Sequence, residues 1–306
     1  MRKMIDFNKS FKIILIVYAI IFIAGIVFSV VGGVNLDINF SGGTKISYAY
    51  TGELKDKDIK EVVDGKIKAK YELTKSTSIA GDTKTFEITL VGKDALSAKD
   101  QEAVLKALTE KFKDNKIELY NSNSVSPTLA GTFLIKSLVA VAITAILVVI
   151  YVGIRFRRIG GVSAALTALV ALIFDVLITF FTCVFFGLQI DSNYMAVVLT
   201  ILGYSLNDTI VVYDRVRENR RLNPDDEIGK LVNDSINQTF KRNVVTSVTT
   251  FLAVMTIVIV SELFGLQSLR TFAIPMAFGL ISGGISSLCI AGPLWVIWKR
   301  RKTNKA

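Results

Sequence analysis

Tyr204-Ser205-Leu206-Asn207-Asp208-Thr209-Ile210-Val211-Val212-Tyr213-Asp214-Arg215-Val216-Arg217-Glu218-Asn219 continues an apolar run that begins near Tyr194. It reads as the second half of a membrane-spanning helix in which Asn207 and Asp208 sit among Leu, Ile and Val. A carboxylate there is costly. Even lenient insertion scales disfavour an ionised Asp at mid-helix by roughly 2.5 to 3.5 kcal/mol, so such a residue faces a bundle interior and has a partner or a proton. The expectation is a proton-coupled site. The plainer alternative is a polar contact that holds two helices together.

The rest of the composition fits a span of this kind. With 51% hydrophobic residues in a chain of 306, the protein is far more apolar than a soluble domain of its size. The formal charge of +10 is distributed in a way that argues against nucleic acid as a partner. Of the 12 arginines, only Arg270 falls outside the segments assigned to the inner side of a membrane: the N-terminus with Arg2 and Lys3, Arg155 to Arg158, Arg215 to Arg242, and Lys299 to Lys305. That is the positive-inside pattern. Cys183 and Cys289 each lie in an apolar run, so no disulfide framework is expected. The chain has no His, which removes the usual near-neutral acid–base group and the commonest zinc ligand. No metal, cofactor or enzymatic activity is expected, and proton traffic must use Asp, Glu, Lys, Arg or water. No Gly-x-x-x-x-Gly-Lys-Ser/Thr loop is present, and Gly42-Gly43 before Thr44-Lys45 does not substitute for one.

Three segments follow. Residues 1–34 hold a basic start and a first span, Phe11 to Val31, long enough for about 30 Å of hydrocarbon. It is too long for a cleavable signal core, so an uncleaved span with the N-terminus inside is expected. Residues 35–128 change character, with 15 Lys, no Arg and 15 acids. Leu36, Ile38 and Phe40, then Ile46, Tyr48 and Tyr50, alternate about Gly42-Gly43 as a strand interrupted by a bulge or bend. Ile59, Val62, Val63 and Ile67 recur at helical spacing. A hairpin is expected from Glu72 to Ile79 and from Thr83 to Val91 around Gly81-Asp82. Val104, Leu105, Leu108 and Phe112 make a second helix, and Ile117 and Leu119 a last strand. The β-α-β-β-α-β order predicts an extracytoplasmic α+β ferredoxin-like domain between the first and second spans.

Residues 129–306 predict five more spans. The second is Leu138 to Val152, extending back toward Gly131, and the third is Val162 to Phe186 with Asp175 about midway. The fourth is Asn193 to Asp214, the fifth Asn243 to Val260, and the sixth Phe272 to Trp298 with a close-packing Gly279-x-x-x-Gly283. Ile228 to Phe240 is expected as a separate amphipathic helix along the inner surface. Six spans return the C-terminus inside, so the fold class is a polytopic α-helical membrane protein. Asp208 lies roughly 10 Å and Asp175 about 20 Å from the inner boundary at 1.5 Å per residue. Arg242, at the inner end of the fifth span, reaches toward Asp208 if those helices are neighbours. Should all of them face one cleft, they form a ladder of titratable and hydroxyl groups.

At these residues the chain resembles the SecD/SecF family of protein-export membrane proteins, relatives of the resistance-nodulation-division transporters. Tyr204 to Asn219 is nearly the family's fourth-span signature, Phe40-Ser-Gly-Gly-Thr44 its ectodomain motif, and Arg242-Asn-Val-Val-Thr-Ser-Val-Thr-Thr250 its fifth-span motif. The chain departs from the pattern at Asn39, where an Asp is usual, and at Phe174, where a His often precedes the third-span Asp. The resemblance implies a subunit in a prokaryotic cytoplasmic membrane that pairs with SecD as a heterodimer. It implies association with the SecYEG channel, YajC and YidC, contact with lipid, and a translocating unfolded polypeptide as client. The family's mode of action implies a proton gradient driving ectodomain movement that draws the emerging chain outward. By residue match, Asp208 carries the proton, Arg242 is its partner, and Asp175 and Asn207 belong to the relay. Gly42, Gly43 and Thr44 form a flexible junction, and Tyr204, Asp214 and Arg215 complete the fourth-span motif.

Three other classes compete. An intramembrane aspartyl protease needs two carboxylates about 3 Å apart, whereas Asp175 and Asp208 are expected at different depths and no Gly-x-Gly-Asp is present. A proton-coupled exporter of small molecules or lipids also suits an Asp-bearing fourth span, with a second six-span subunit to complete it. A passive scaffold would be insensitive to collapse of the gradient.

Overall fold

The computed structural model describes residues 5–69, 71–77, 84–92, 96 and 98–303. Among them, six helical stretches are long and apolar enough to cross a membrane. The first is α1 (Phe7–Gly32), whose N-terminus is capped by the Asp6 side chain. A short helix α2 (Ile38–Ser41) follows, then β1 (Gly43–Tyr50), α3 (Asp56–Asp64), β2 (Tyr71–Thr77), β3 (Lys84–Val91), α4 (Ala98–Lys111) and β4 (Glu118–Val125). The remaining chain is α5 (Pro127–Arg155), α6 (Gly161–Phe185), α7 (Ser192–Leu222), α8 (Ile228–Leu263) and α9 (Gln267–Ser286). It closes with a π-helical turn at Ser287–Ala291 and α10 (Gly292–Thr303).

The four strands form one antiparallel sheet in the order β2-β3-β1-β4. Alternation in β1 and β3 puts Ile46, Tyr48, Tyr50, Phe86, Ile88 and Leu90 on one face. Ile59 and Val63 of α3 and Val104 and Leu108 of α4 cover that face, so both helices pack on the same side. The hairpin turn expected at Gly81-Asp82, with Ile79 and Thr83 beside it, lies outside the described residues. Arg2, Lys3 and Lys305 lie outside them as well.

Two sequence expectations are corrected. The alternation from Leu36 to Phe40 is not strand: Ile38–Ser41 is a helical turn capped by the Asp37 carboxylate, which accepts from the Asn39 amide nitrogen. A local side-chain cap outweighs a three-residue alternation there. Likewise Ile228 to Phe240 is no separate surface helix, because α8 runs unbroken from Ile228 through Leu263. No Gly or Pro interrupts it after Gly229, and the apolar face of its first turns, including Leu231, Val232 and Ile236, is buried in the bundle core. The last strand is also longer than its apolar residues suggest. Asn121 to Ser124 pair with β1 despite low strand propensity, and Val125 leads through the Ser126 cap straight into α5.

In the bundle, α6, α7 and α9 are central, while α1, α5 and α8 turn most of their apolar side chains outward. Small residues let the central helices approach. A Cβ on Gly279 would stand 2.5 Å from Thr179 Cγ2 of α6 and 2.9 Å from Ile201 Cδ1 of α7. The expected Gly279-x-x-x-Gly283 contact is therefore a three-helix junction.

The sheet domain is joined to the bundle at several points. Asp37 N donates to Ile190 O at 3.1 Å and Ile190 N to Asn35 O at 2.8 Å. Gln189 Nε2 donates to Glu72 Oε2 at 2.8 Å. Gly42 and Gly43 stand at the junction, in close contact with Pro127 and Leu90. Both have positive φ, and a Cβ on Gly43 would lie 2.0 Å from the Leu90 carbonyl oxygen. Thr44 is fully buried, its hydroxyl 3.2 Å from that of Ser124.

Candidate functional site

The polar residues of α7 divide between two faces. Ser205, Thr209 and Tyr213 recur every four residues and are buried toward α6 and α9. Tyr204 and Asp208 point to α8. The first face meets Asp175 of α6, and the second carries Asp208.

Asp175, on α6, is completely buried. Its Oδ2 accepts from Ser205 at 2.6 Å and from Ser286 at 2.9 Å, and its Oδ1 accepts from Ser282 at 2.5 Å. Three hydroxyls from α7 and α9 thus satisfy the acid, as a buried polar group requires. The Tyr18 hydroxyl of α1 lies 2.9 Å from Ser282 Oγ and so joins the first span to the cluster. The polar track continues along α7. Thr209 Oγ1 donates to Ser287 Oγ at 3.1 Å, and the Tyr213 and Thr167 hydroxyls are 2.8 Å apart. Phe174, where the family often has a His, packs edge-on against Tyr18 and tilted against Phe22, with ring centroids 5.2 Å away in both cases. It therefore turns toward α1.

Asp208 is 2% exposed. Ser247 Oγ of α8 donates to its Oδ2 at 3.3 Å. One helical turn away, the Tyr204 hydroxyl donates to Thr250 Oγ1 at 3.3 Å, so α7 and α8 meet through paired hydroxyl and carboxylate contacts. Arg242 is exposed and makes no ion pair within 4.0 Å among the described residues. The Thr246 and Thr249 hydroxyls, further along α8 from Arg242, donate to backbone carbonyls of their own helix. Asn207 is also exposed and lines, with Arg242, a cavity at the basic end of the bundle. Asp214 pairs there with Arg155 at 3.1 Å and Arg217 at 2.9 Å, and Arg215 pairs with Glu218 at 2.6 Å. The Arg215 guanidinium also reaches Gln238 of α8.

The expected ladder is thus two clusters. Between them runs the α9 backbone at Gly283 and Gly284. A Cβ on Gly283 would be 3.0 Å from Ser205 Cβ, and one on Gly284 would be 2.9 Å from Ser247 Oγ. The three serines around Asp175 and the Ser247 donor escaped the sequence reading, because Ser in an apolar run is common and only Gly279-x-x-x-Gly283 marked that part of α9 as a contact. At the sheet end, Asp191 caps α7 and accepts from the Tyr194 amide nitrogen at 2.9 Å and from Thr271 Oγ1 at 3.0 Å. Burial pushes its carboxyl above the ordinary range, with those hydrogen bonds opposing.

Residues 104–301 match the family described as protein export membrane protein SecD/SecF, C-terminal. The chain is 36% identical to the protein translocase subunit SecF of Petrotoga mobilis over 99% of both chains. It is 32% identical to that of Borreliella burgdorferi over 96% of this chain and 97% of the relative. The protein translocase subunit SecDF of Bacillus subtilis is 34% identical over 98% of this chain, which spans 39% of that longer protein. Among solved structures, the translocon-associated membrane protein SecDF from Thermus thermophilus aligns with a TM-score of 0.80 and 26% identity, over 98% of this chain and 39% of that one.

Proposed function

The chain belongs to the SecD/SecF family of protein-export membrane proteins, and from that membership we propose that it is an accessory subunit of the Sec preprotein translocase, working with SecD to assist late translocation at the cost of the proton gradient. Its relatives are named as translocase subunits, and in SecDF the two halves are one chain. The outward apolar faces of α1, α5 and α8 leave room for a second six-span subunit in the membrane. SecYEG, YajC and YidC are proposed as further partners, with an unfolded polypeptide as client. We place the protein in the cytoplasmic membrane with both termini inside, following the arginines at one end of the bundle. The sheet domain is then outside, and its β2-β3-β1-β4 order is read as ferredoxin-like.

The observation that carries the coupling is the setting of Asp208: a carboxylate buried in the span, with a neutral hydroxyl as its hydrogen-bond partner and no cation in ion-pair range among the described residues. A charge change there acts directly on the α7–α8 contact. Asp175, in its serine cage, is proposed as a second relay group, and Arg242 and Asn207 as the opening of the path toward the basic side. Tyr204, Asp214 and Arg215 hold α7 to its neighbours during the cycle. Gly42, Gly43 and Thr44 are the proposed pivot of the sheet domain.

The test is export into vesicles that hold the full translocase, driven by an imposed proton or sodium gradient, with wild type and Asp208→Asn compared. Gradient-dependent export is lost in the variant while insertion and assembly persist. Full export by the variant would overturn the coupling role, and stimulation by sodium alone would replace the proton as the coupling ion.

A further inference from the structure

A cavity of about 1530 Å³ opens at the basic end of the bundle, between the end of α5, α7 and the first half of α8. Eight arginines line it against two carboxylates, Asp214 and Glu218. Those acids are already engaged: Asp214 by Arg155 and Arg217, and Glu218 by Arg215. Arg220 donates to the Asp226 carbonyl oxygen at 2.8 Å. Arg157, Arg158, Arg221 and Arg242 are left with no carboxylate within 4.0 Å among the described residues, all facing one space.

Topology alone does not explain this choice of side chain. Lys and Arg satisfy the positive-inside rule equally, and elsewhere the chain prefers Lys, with 15 Lys and no Arg in residues 35–128. Every cation in the cavity wall is nevertheless an arginine. A guanidinium differs from an ammonium in presenting a planar fork that holds two oxygens of one phosphate. The wall is also amphipathic. Ile154, Ile210 and Val211 line the side nearer the membrane core. Ile154, 63% exposed, continues an outward row on α5 through Ile150, Leu147 and Ile143. The cavity thus offers guanidinium groups at the headgroup level and an apolar track leading into the acyl region.

We infer that this cavity is a binding site for an anionic phospholipid, whose phosphodiester lies between Arg157, Arg158 and Arg221 and whose acyl chains run along α5. The inference stands apart from the coupling role of Asp208. Basic pockets between spans are a recurring setting for anionic headgroups. The apolar track favours lipid over free phosphate as the source of the anion.

Native mass spectrometry of the full chain in mild detergent tests it, titrating phosphatidylglycerol against phosphatidylcholine of the same acyl composition, with inorganic phosphate as competitor. Wild type prefers phosphatidylglycerol by about tenfold, the scale of one well-placed charged contact. The triple variant Arg157→Gln, Arg158→Gln, Arg221→Gln loses the preference. The triple Lys variant keeps the charge and retains only a minor part of it. Unchanged thermal unfolding in neutral detergent shows that each variant is folded; should the Gln variant not fold, the Lys variant and the phosphate competition decide. Equal binding of the two lipids by wild type, or a preference undiminished in both variants, overturns the site. Displacement of the lipid by millimolar phosphate overturns the lipid as occupant.

Discussion

Ser205 on α7 donates to Asp175 on α6 at 2.6 Å, three residues before Asp208 turns the other way to meet Ser247 on α8. One helix therefore carries both acids' connections on neighbouring faces, and a rotation or shift of α7 would strain both at once. Ser205→Ala removes one of three donors to a fully buried carboxylate. The expected loss is about 1 to 3 kcal/mol, seen as a lower midpoint of thermal unfolding in detergent, with Ser205→Thr milder.

Gly279 and Gly131 make a matched pair. A methyl on Gly279 meets Thr179 and Ile201, both fully buried and unable to retreat, whereas nothing lies within 4 Å of the position a methyl would take on Gly131. Gly279→Ala should destabilise by about 1 to 3 kcal/mol through overpacking. Gly131→Ala should stabilise α5 by up to about 1 kcal/mol, the helix propensity difference. Unfolding midpoints moving in the same direction for the two would contradict the packing described.

Tyr48, at the centre of the sheet domain, is buried, and its hydroxyl has no hydrogen-bond partner among the described residues. Burial pushes its phenol up to about 12. Tyr48→Phe removes an uncompensated polar group and leaves the ring contact with Phe86 in place. The sheet domain should gain about 1 kcal/mol, readable as slower amide exchange in β1 and β3.

Asp191 offers a pH signature outside the spans. Burial raises its carboxyl above the ordinary range, so the folded protein holds that proton to a higher pH than the unfolded chain does. The contribution of this group to stability is full at low pH. It falls as pH rises from the unfolded value through the folded one. Asp191→Asn keeps an N-cap acceptor and removes this dependence. Midpoints measured across about pH 4 to 7, the range in which carboxyl groups titrate, should decline less steeply with pH in the variant than in wild type.

How far the sequence could be read depended on whether a signal was local. The spans, the strand alternation from Ile46 to Tyr50 and the helical stripe at Ile59 and Val63 are patterns over a few turns of one segment, and they reappear in the structure. Short patterns failed where a local contact competed, as at Ile38–Ser41, where the Asp37 cap made a helical turn of an apparent strand. The polar stretch Asn121 to Ser124 shows the opposite case, since pairing with β1 makes a strand of residues that favour loops.

From the chain alone came the number of spans, the order of elements in the sheet domain, and the presence of two acids and a cluster of arginines at set depths, because hydrophobic length and periodicity are carried by each segment independently. Only the packed bundle decided what those groups meet: serines of α7 and α9 around Asp175, Ser247 beside Asp208, and, among the described residues, four guanidinium groups without a carboxylate in one cavity. The physical reason is rotation. Which way a helix turns its polar side chains depends on how closely its neighbours approach. Here the bare backbone of Gly279, Gly283 and Gly284 sets that approach, against side chains up to 100 residues away in the chain, Gly284 standing against Ser247 and Gly279 against Thr179 and Ile201.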